Sequence, residues 1–228
     1  MGFDLLAGRA IFFIPGHPAG QPIIPPLNLM LHVVDDFLPN GLLGSLKDLC
    51  LAHAALKQMH IGDALFSWRP NAGLSRSLHS ARNQETMELY LSDYLLPMTR
   101  VFAPDHGGVE WWCNTNNDLD WHINKDEAVH RISGTYQLPL LSSVFYPYVS
   151  CAGGELLVAD NSPMSSGQCA DLPIFNSVIS IPPRRNRLVF FSAGILNRIN
   201  QFHGERYSVA ANLWEVEPLN RPMSAPSV

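Results

Sequence analysis

The chain has 228 residues, of which 46% are hydrophobic and 15% charged, and its formal net charge is −5 at pH 7. That length fits one domain with a sizeable core, and the composition excludes a disordered chain. The acidic balance and the absence of a Lys/Arg run exclude a general nucleic-acid surface, which needs clustered cations.

Residues 1–30 hold Pro15, Pro18, Pro22, Pro25 and Pro26. A long helix cannot form there. The segment reads as an extended arm that packs on its own domain or on a second subunit, as in a homodimer. It lacks a basic segment followed by a clean apolar stretch, so no signal peptide is expected. No apolar run approaches the ~20 residues that span a bilayer. Cys50, Cys113, Cys151 and Cys169 are widely spaced, without a C-x-x-C pair. They read as free thiols in a reducing compartment. The expectation is a cytoplasmic protein without nucleic-acid or membrane partners.

The domain itself is read over 31–216, with 217–228 as a tail. Leu31 to Val34 is a β-branched run. Leu42, Leu43, Leu46, Leu49, Cys50 and Ala54 recur at helical spacing, which predicts a helix over 41–58 with Asn40 as N-cap. Residues 61–83 are polar and irregular, long enough for a lid or a substrate-contacting loop. Met87, Tyr90, Leu91, Tyr94, Leu95 and Met98 predict a second helix over 84–102, kinked or shortened by Pro97. From 109 onward the pattern is β, with strands at 109–115, 119–123, 138–147, 154–159, 175–181, 187–192 and 205–215. Turn residues separate them at short intervals. Helices first and strands after argue against a parallel sheet and for two helices packed on an antiparallel barrel or jelly roll.

The chemistry concentrates in Leu119-Asp-Trp-His-Ile-Asn-Lys-Asp-Glu127. On a strand, His122 and Asn124 point to one face. This segment resembles the His-x-Asp motif of the prolyl-hydroxylase-like branch of the 2-oxoglutarate/Fe(II) oxygenases. Further segments carry the likeness over about residues 31–215. They are Val33 to Pro39, Phe145-Tyr-Pro147 with Gly153-Gly-Glu-Leu156, Pro183 to Phe191, Gly194 to Ile199, and Gly204-Glu-Arg-Tyr-Ser208. The resemblance implies a mainly β chain with flanking helices, folded as a cupin-like double-stranded β-helix with the two N-terminal helices packed on it. It implies Fe(II) and 2-oxoglutarate as possible cofactors.

Carried over residue by residue, His122 falls on the first iron ligand. Asn124 stands where the family has Asp, and Asn197 where it has the second His. Arg206 falls on the Arg that pairs with the 2-oxoglutarate carboxylate, with Tyr146 and Ser208 as its companions in some members. The triad so read is degenerate. Asn brings a neutral amide where Fe(II) wants a carboxylate and an imidazole. His203 is the candidate substitute ligand; Asp126 and Glu127 read as a solvated turn. Trp111, Trp112 and Trp121 read as core and pocket wall.

Three functional readings follow. The first is a biosynthetic enzyme that performs a redox-neutral isomerase-, cyclase- or lyase-type step on a small molecule. His122 would be its acid–base, and the two amides would orient substrate or stabilise an oxyanion. The second is an active Fe(II)/2-oxoglutarate dioxygenase with an unusual ligand set. The third is a non-catalytic binding protein.

Overall fold

The computed structural model describes residues 30–59, 66–72, 75–77, 79–115, 119–159 and 177–219. The expected arm lies outside the described residues except Met30. So do Cys169, the turns at 116–118 and 161–167, parts of the 61–83 loop, and the tail from 220 onward. In chain order the elements are β1 (Leu31–Val34), α1 (Asn40–Met59), β2 (Ser67–Pro70), α2 (Ala81–Tyr90), a π-helical turn (Leu91–Leu95), α3 (Leu96–Thr99), β3 (Gly108–Asn114), β4 (Leu119–His122), α4 (Glu127–Ser133), β5 (Leu141–Gly153), β6 (Leu156–Ala159), β7 (Val178–Ile181), β8 (Arg187–Ser192), β9 (Asn197–Ile199) and β10 (Phe202–Trp214). No helix among the described residues is long and apolar enough to cross a membrane.

The strands form two antiparallel sheets. A six-stranded sheet runs β1-β8-β5-β10-β3-β2, and a four-stranded sheet runs β4-β9-β6-β7. The larger sheet is buried on both faces, and its alternation divides the core in two. On one face, Tyr207, Val209, Ala211 and Leu213 of β10 join Val109, Trp111 and Cys113 of β3. They pack under Leu42, Leu43, Leu46 and Leu49 of α1 and under Met87, Tyr90, Leu91 and Leu95. On the other face, Tyr146, Val189 and Phe191 meet Leu156, Val158, Ile181 and Ile199 of the smaller sheet. Each fully buried Leu or Phe contributes roughly 1.5–3 kcal/mol.

Several expectations need correction. The 61–83 segment is not wholly irregular, because Ser67–Pro70 pairs with β3. The second helix starts at 81, where the Ser80 hydroxyl accepts from Asn83 N. It then widens into the π-helical turn ahead of Pro97. Proline removes a donor and crowds the carbonyl four residues back, and a widened turn takes up that clash. The strand expected over 138–147 runs to Gly153 instead. Between the pairs Phe145↔Val209 and Tyr148↔Tyr207, β5 has two residues and β10 only Ser208. This β-bulge absorbs Pro147, which has no N–H to offer the ladder. Helix α4 and strand β9 were not anticipated at all.

The β5–β6 and β10 turns need glycine. Gly204 has φ +107°, and a Cβ there would collide with the Ser150 carbonyl oxygen. Gly44, inside α1, has open space around its missing Cβ. Gly204→Ala is therefore expected to destabilise the protein by about 1–3 kcal/mol. Gly44→Ala should stabilise it by about 0.5–1 kcal/mol, as expected for relief of a helix-interior glycine. Urea denaturation of both variants beside the parent checks the opposite signs.

Candidate functional site

The two sheets enclose a cavity of about 50 Å³ that is partly open to solvent. Its wall includes Trp112 and Asn114 of β3, and Arg206, Ser208 and Ala210 of β10. His122, Asn124 and Asn197 stand on the side of the smaller sheet, and Leu156, Phe191 and Ile199 are among the apolar liners. The structure thus brings His122, Asn124, Asn197, Arg206 and Ser208 to one cavity. It places Tyr146 beside it and His203 away from it.

His122 ends β4, where it pairs with Asn197 of β9. Its Nδ1 lies 2.7 Å from the Asp120 carbonyl oxygen. A carbonyl only accepts, so Nδ1 carries the proton and Nε2 of the neutral ring holds the lone pair. Asn124 lies beyond the strand, not on it. Its Nδ2 donates to Ser142 Oγ at 2.9 Å and to Asn212 Oδ1 at 3.3 Å. Asn197 Nδ2 donates to the carbonyl oxygens of His122 and Ile195, at 3.3 and 3.2 Å. Both amides therefore spend their N–H groups on the protein. The oxygens of the two amides are therefore the atoms turned from these bonds.

Arg206 is 3% exposed. Its Nη1 donates to the Gly154 carbonyl oxygen at 2.9 Å, and its guanidinium carbon lies 5.4 Å from the Tyr146 ring centre and 5.2 Å from that of Phe202. Among the described residues no carboxylate pairs with it. Its Nε and the Tyr146 hydroxyl are both buried without a hydrogen-bond partner. Burial draws the Arg206 pKa down and pushes that of Tyr146 up. A buried cation next to an orphaned hydroxyl is costly unless an anion completes the set.

Other expected residues fall elsewhere. His203 is exposed on β10 opposite Ala152 and does not line the cavity, so it is poorly placed to replace a ligand. Asp126 is not in a solvated turn. It is fully buried, caps α4 by accepting from Ala128 N and Val129 N, and also accepts from Leu219 N. Of the three tryptophans only Trp112 faces the cavity; Trp111 packs in the helix-side core, and Trp121 lies near the Arg198 guanidinium. Among the described residues no group of three or more His, Cys, Asp or Glu side chains is placed to hold a metal ion. Cys50, Cys113 and Cys151 are free.

Sequence reasoning missed Glu110, Ser142 and Asn212. Asn212 was available from period two on β10, since 206, 208, 210 and 212 share a face. Its Nδ2 donates to Glu110 Oε2 at 3.3 Å, and Trp214 Nε1 donates to the same oxygen at 3.1 Å. Burial pushes the Glu110 pKa up to about 7, against the lowering effect of these two donors. Behind the sheet lies a second titratable pair. His53 Nδ1 and His79 Nε2 are 3.0 Å apart, and His79 stacks on Trp111. Burial lowers these imidazoles to about 3 and about 4; the neighbouring His79 and Lys57 also lower His53.

The described fold is shared with solved structures. A prolyl-4-hydroxylase from Pseudomonas putida is similar with a TM-score of 0.52 at 14% identity, over 81% of this chain and 87% of that one. A prolyl hydroxylase from Trichoplax adhaerens, in complex with a hypoxia inducible factor peptide fragment, gives 0.49 at 12% identity, over 81% and 83%. HygX from Streptomyces hygroscopicus, with nickel and 2-oxoglutarate bound, gives 0.49 at 14% identity, over 81% and 82%. No protein-family model and no curated protein matches the chain. The likeness is one of fold, and the two facing sheets are consistent with a jelly roll of the Pseudomonas enzyme's type.

The two titrating sites act on stability with opposite signs. The imidazoles have lowered folded pKa values, so the unfolded chain binds their protons first and stability falls as pH drops below 6.5. Glu110 has a raised folded pKa, so its contribution is lost as pH rises toward 7. From about pH 6.5 to about pH 5 the pair removes roughly 3 kcal/mol and Glu110 returns roughly 1.5, a net loss of about 1.5 kcal/mol. In Glu110→Gln the loss over the same interval should about double. Chemical denaturation at the two pH values measures both.

Proposed function

We propose that this chain is a double-stranded β-helix enzyme of the 2-oxoglutarate/Fe(II) oxygenase kind whose iron site is degenerate. It binds a small carboxylate at Arg206 and carries out a redox-neutral step, an isomerisation, cyclisation or elimination, beside His122. The observation that carries this reading is the buried, unpaired Arg206 guanidinium with the orphaned Tyr146 hydroxyl at its side. A ligand carboxylate supplies the acceptor that both donors lack, and Ser208 on the same strand face adds a hydroxyl.

The residues present do not fit iron. The family holds Fe(II) with two imidazoles and one carboxylate, whereas the matching positions here offer one imidazole nitrogen and two neutral amide oxygens. Chemistry then falls to the side chains themselves. The Nδ1–H bond to Asp120 holds the His122 ring, and Nε2 takes a proton from bound substrate and returns it to another atom of the same molecule. The step needs no electron acceptor. The apolar liners Leu156, Phe191 and Ile199 limit water around it.

The test is calorimetric and thermal. In chelator-treated protein, saturating valerate or glutarate should raise Tm by several degrees, since a hundredfold excess over Kd adds about 2.7 kcal/mol. Arg206→Met should abolish the shift. No carboxylate effect on the parent protein would overturn the reading. Stabilisation that requires Fe(II), with succinate formed from 2-oxoglutarate, would replace it with the dioxygenase reading. The same argument predicts that Asn124→Asp with Asn197→His binds Co(II) with visible absorption, at concentrations where the parent shows none.

A further inference from the structure

The polarity of the cavity wall around Asn124 follows from one donor-only group. Trp214 Nε1 can only donate, so Glu110 Oε2 is an acceptor. Asn212 therefore presents its NH₂ to Glu110 and turns Oδ1 away from it. That oxygen accepts from Ser142 Oγ at 2.9 Å and from Asn124 Nδ2. Ser142 has used its hydrogen and accepts from Asn124 in turn. The Asn124 NH₂ is thus turned onto the protein, and Oδ1 is the acceptor it has for the cavity. Asn197 reaches the same state by a shorter route, because its NH₂ donates to two backbone carbonyls. His122 adds Nε2, its proton being on the Asp120 side.

Asn124, Asn197 and His122 thus offer three uncharged acceptors, while the donor-bearing liners Trp112, Asn114 and Ser208 stand with Arg206 on β3 and β10. The Arg206 side offers a cation and a hydroxyl. The geometry points to a ligand with the reverse sense: a small carboxylic acid that carries a hydrogen-bond donor at the end away from its carboxylate, a primary amine or a hydroxyl. An ammonium has three N–H groups and the wall has three acceptors, which makes an amino acid of this form the better match. A ketone or a second carboxylate at that end would set lone pairs against lone pairs. This inference rests on the reading of Arg206 as carboxylate anchor.

Glu110 is a positioning residue for this specificity. It touches no cavity atom and acts through Asn212 on Asn124. Replacement by Leu removes the fixed acceptor and leaves the Asn212 amide free to turn.

The experiment measures affinity of chelator-treated protein by calorimetry or ligand-observed NMR for a matched set. The set is valerate, 4-aminobutyrate, 4-hydroxybutyrate, 4-oxopentanoate and glutarate. The expected result is binding of 4-aminobutyrate or 4-hydroxybutyrate at least fivefold tighter than valerate, with 4-oxopentanoate and glutarate no tighter than valerate. In Glu110→Leu and in Asn124→Leu that ratio should fall to within about twofold of one. Arg206→Met should instead weaken all five together. If the parent binds all five alike and loses them in Arg206→Met, the donor specificity is overturned and the carboxylate anchor stands. Tightest binding by glutarate or 4-oxopentanoate also overturns it. If none binds in an Arg206-dependent way, both readings fail. The parent panel decides the matter even where a variant does not fold.

Discussion

The period of two along β10 is the constraint on which the rest of this molecule depends. The strand lies inside the larger sheet, between β5 and β3, and both of its faces are covered. Tyr207, Val209, Ala211 and Leu213 must therefore fill the helix side, while Arg206, Ser208, Ala210 and Asn212 face the other sheet. A slip of one residue would drive Arg206 into the leucines of α1 and empty the cavity wall. Three apolar or aromatic side chains and one Ala hold that register more firmly than any contact made by the functional residues.

The cavity exists because this rule is met with small side chains on β10. Ser208 and Ala210 leave room that larger residues would fill. The bulge opposite Ser208 adds to this, since β5 there spends an extra residue without adding a side chain to the wall. Polar groups then enter an otherwise apolar interior, and nearly every one is satisfied by another. Glu110, Asn212, Ser142 and Asn124 form one connected set. Among the described buried atoms left without a partner are Arg206 Nε, the Tyr146 hydroxyl and Glu110 Oε1, with Tyr90, Arg198 and three histidines supplying the others.

Much of this was legible in the sequence where one physical signal dominated. The apolar spacing of Leu42 to Cys50 specified α1, and the continuous apolar run Leu188 to Phe191 marked β8. The five residues that meet in the cavity were named from motif likeness, and the fold resemblance to a prolyl-4-hydroxylase agrees with that frame. What escaped notice was short or depended on distant partners. Strand β9 is three residues long with Arg198 in its middle, too brief for a period. Helix α4 could have been read from Asp126 as cap and Gly134, in left-handed conformation, as its end. Asp126 and Glu110 look like surface carboxylates in isolation. Their burial is decided by partners about a hundred residues away, Leu219, Asn212 and Trp214.

The bond between Asp126 and the backbone of Leu219 ties the end of the described chain to the start of α4, two residues from Asn124. The segment after β10 is thus a mechanical tether to the cavity wall, although it lines none of it. A tag, a fusion partner or a proteolytic cut placed just before Leu219 would pull on that tether, leave a buried carboxylate oxygen without its donor, and reach the site from outside. The peptide that follows the last strand belongs to the architecture of the cavity as much as the strand itself.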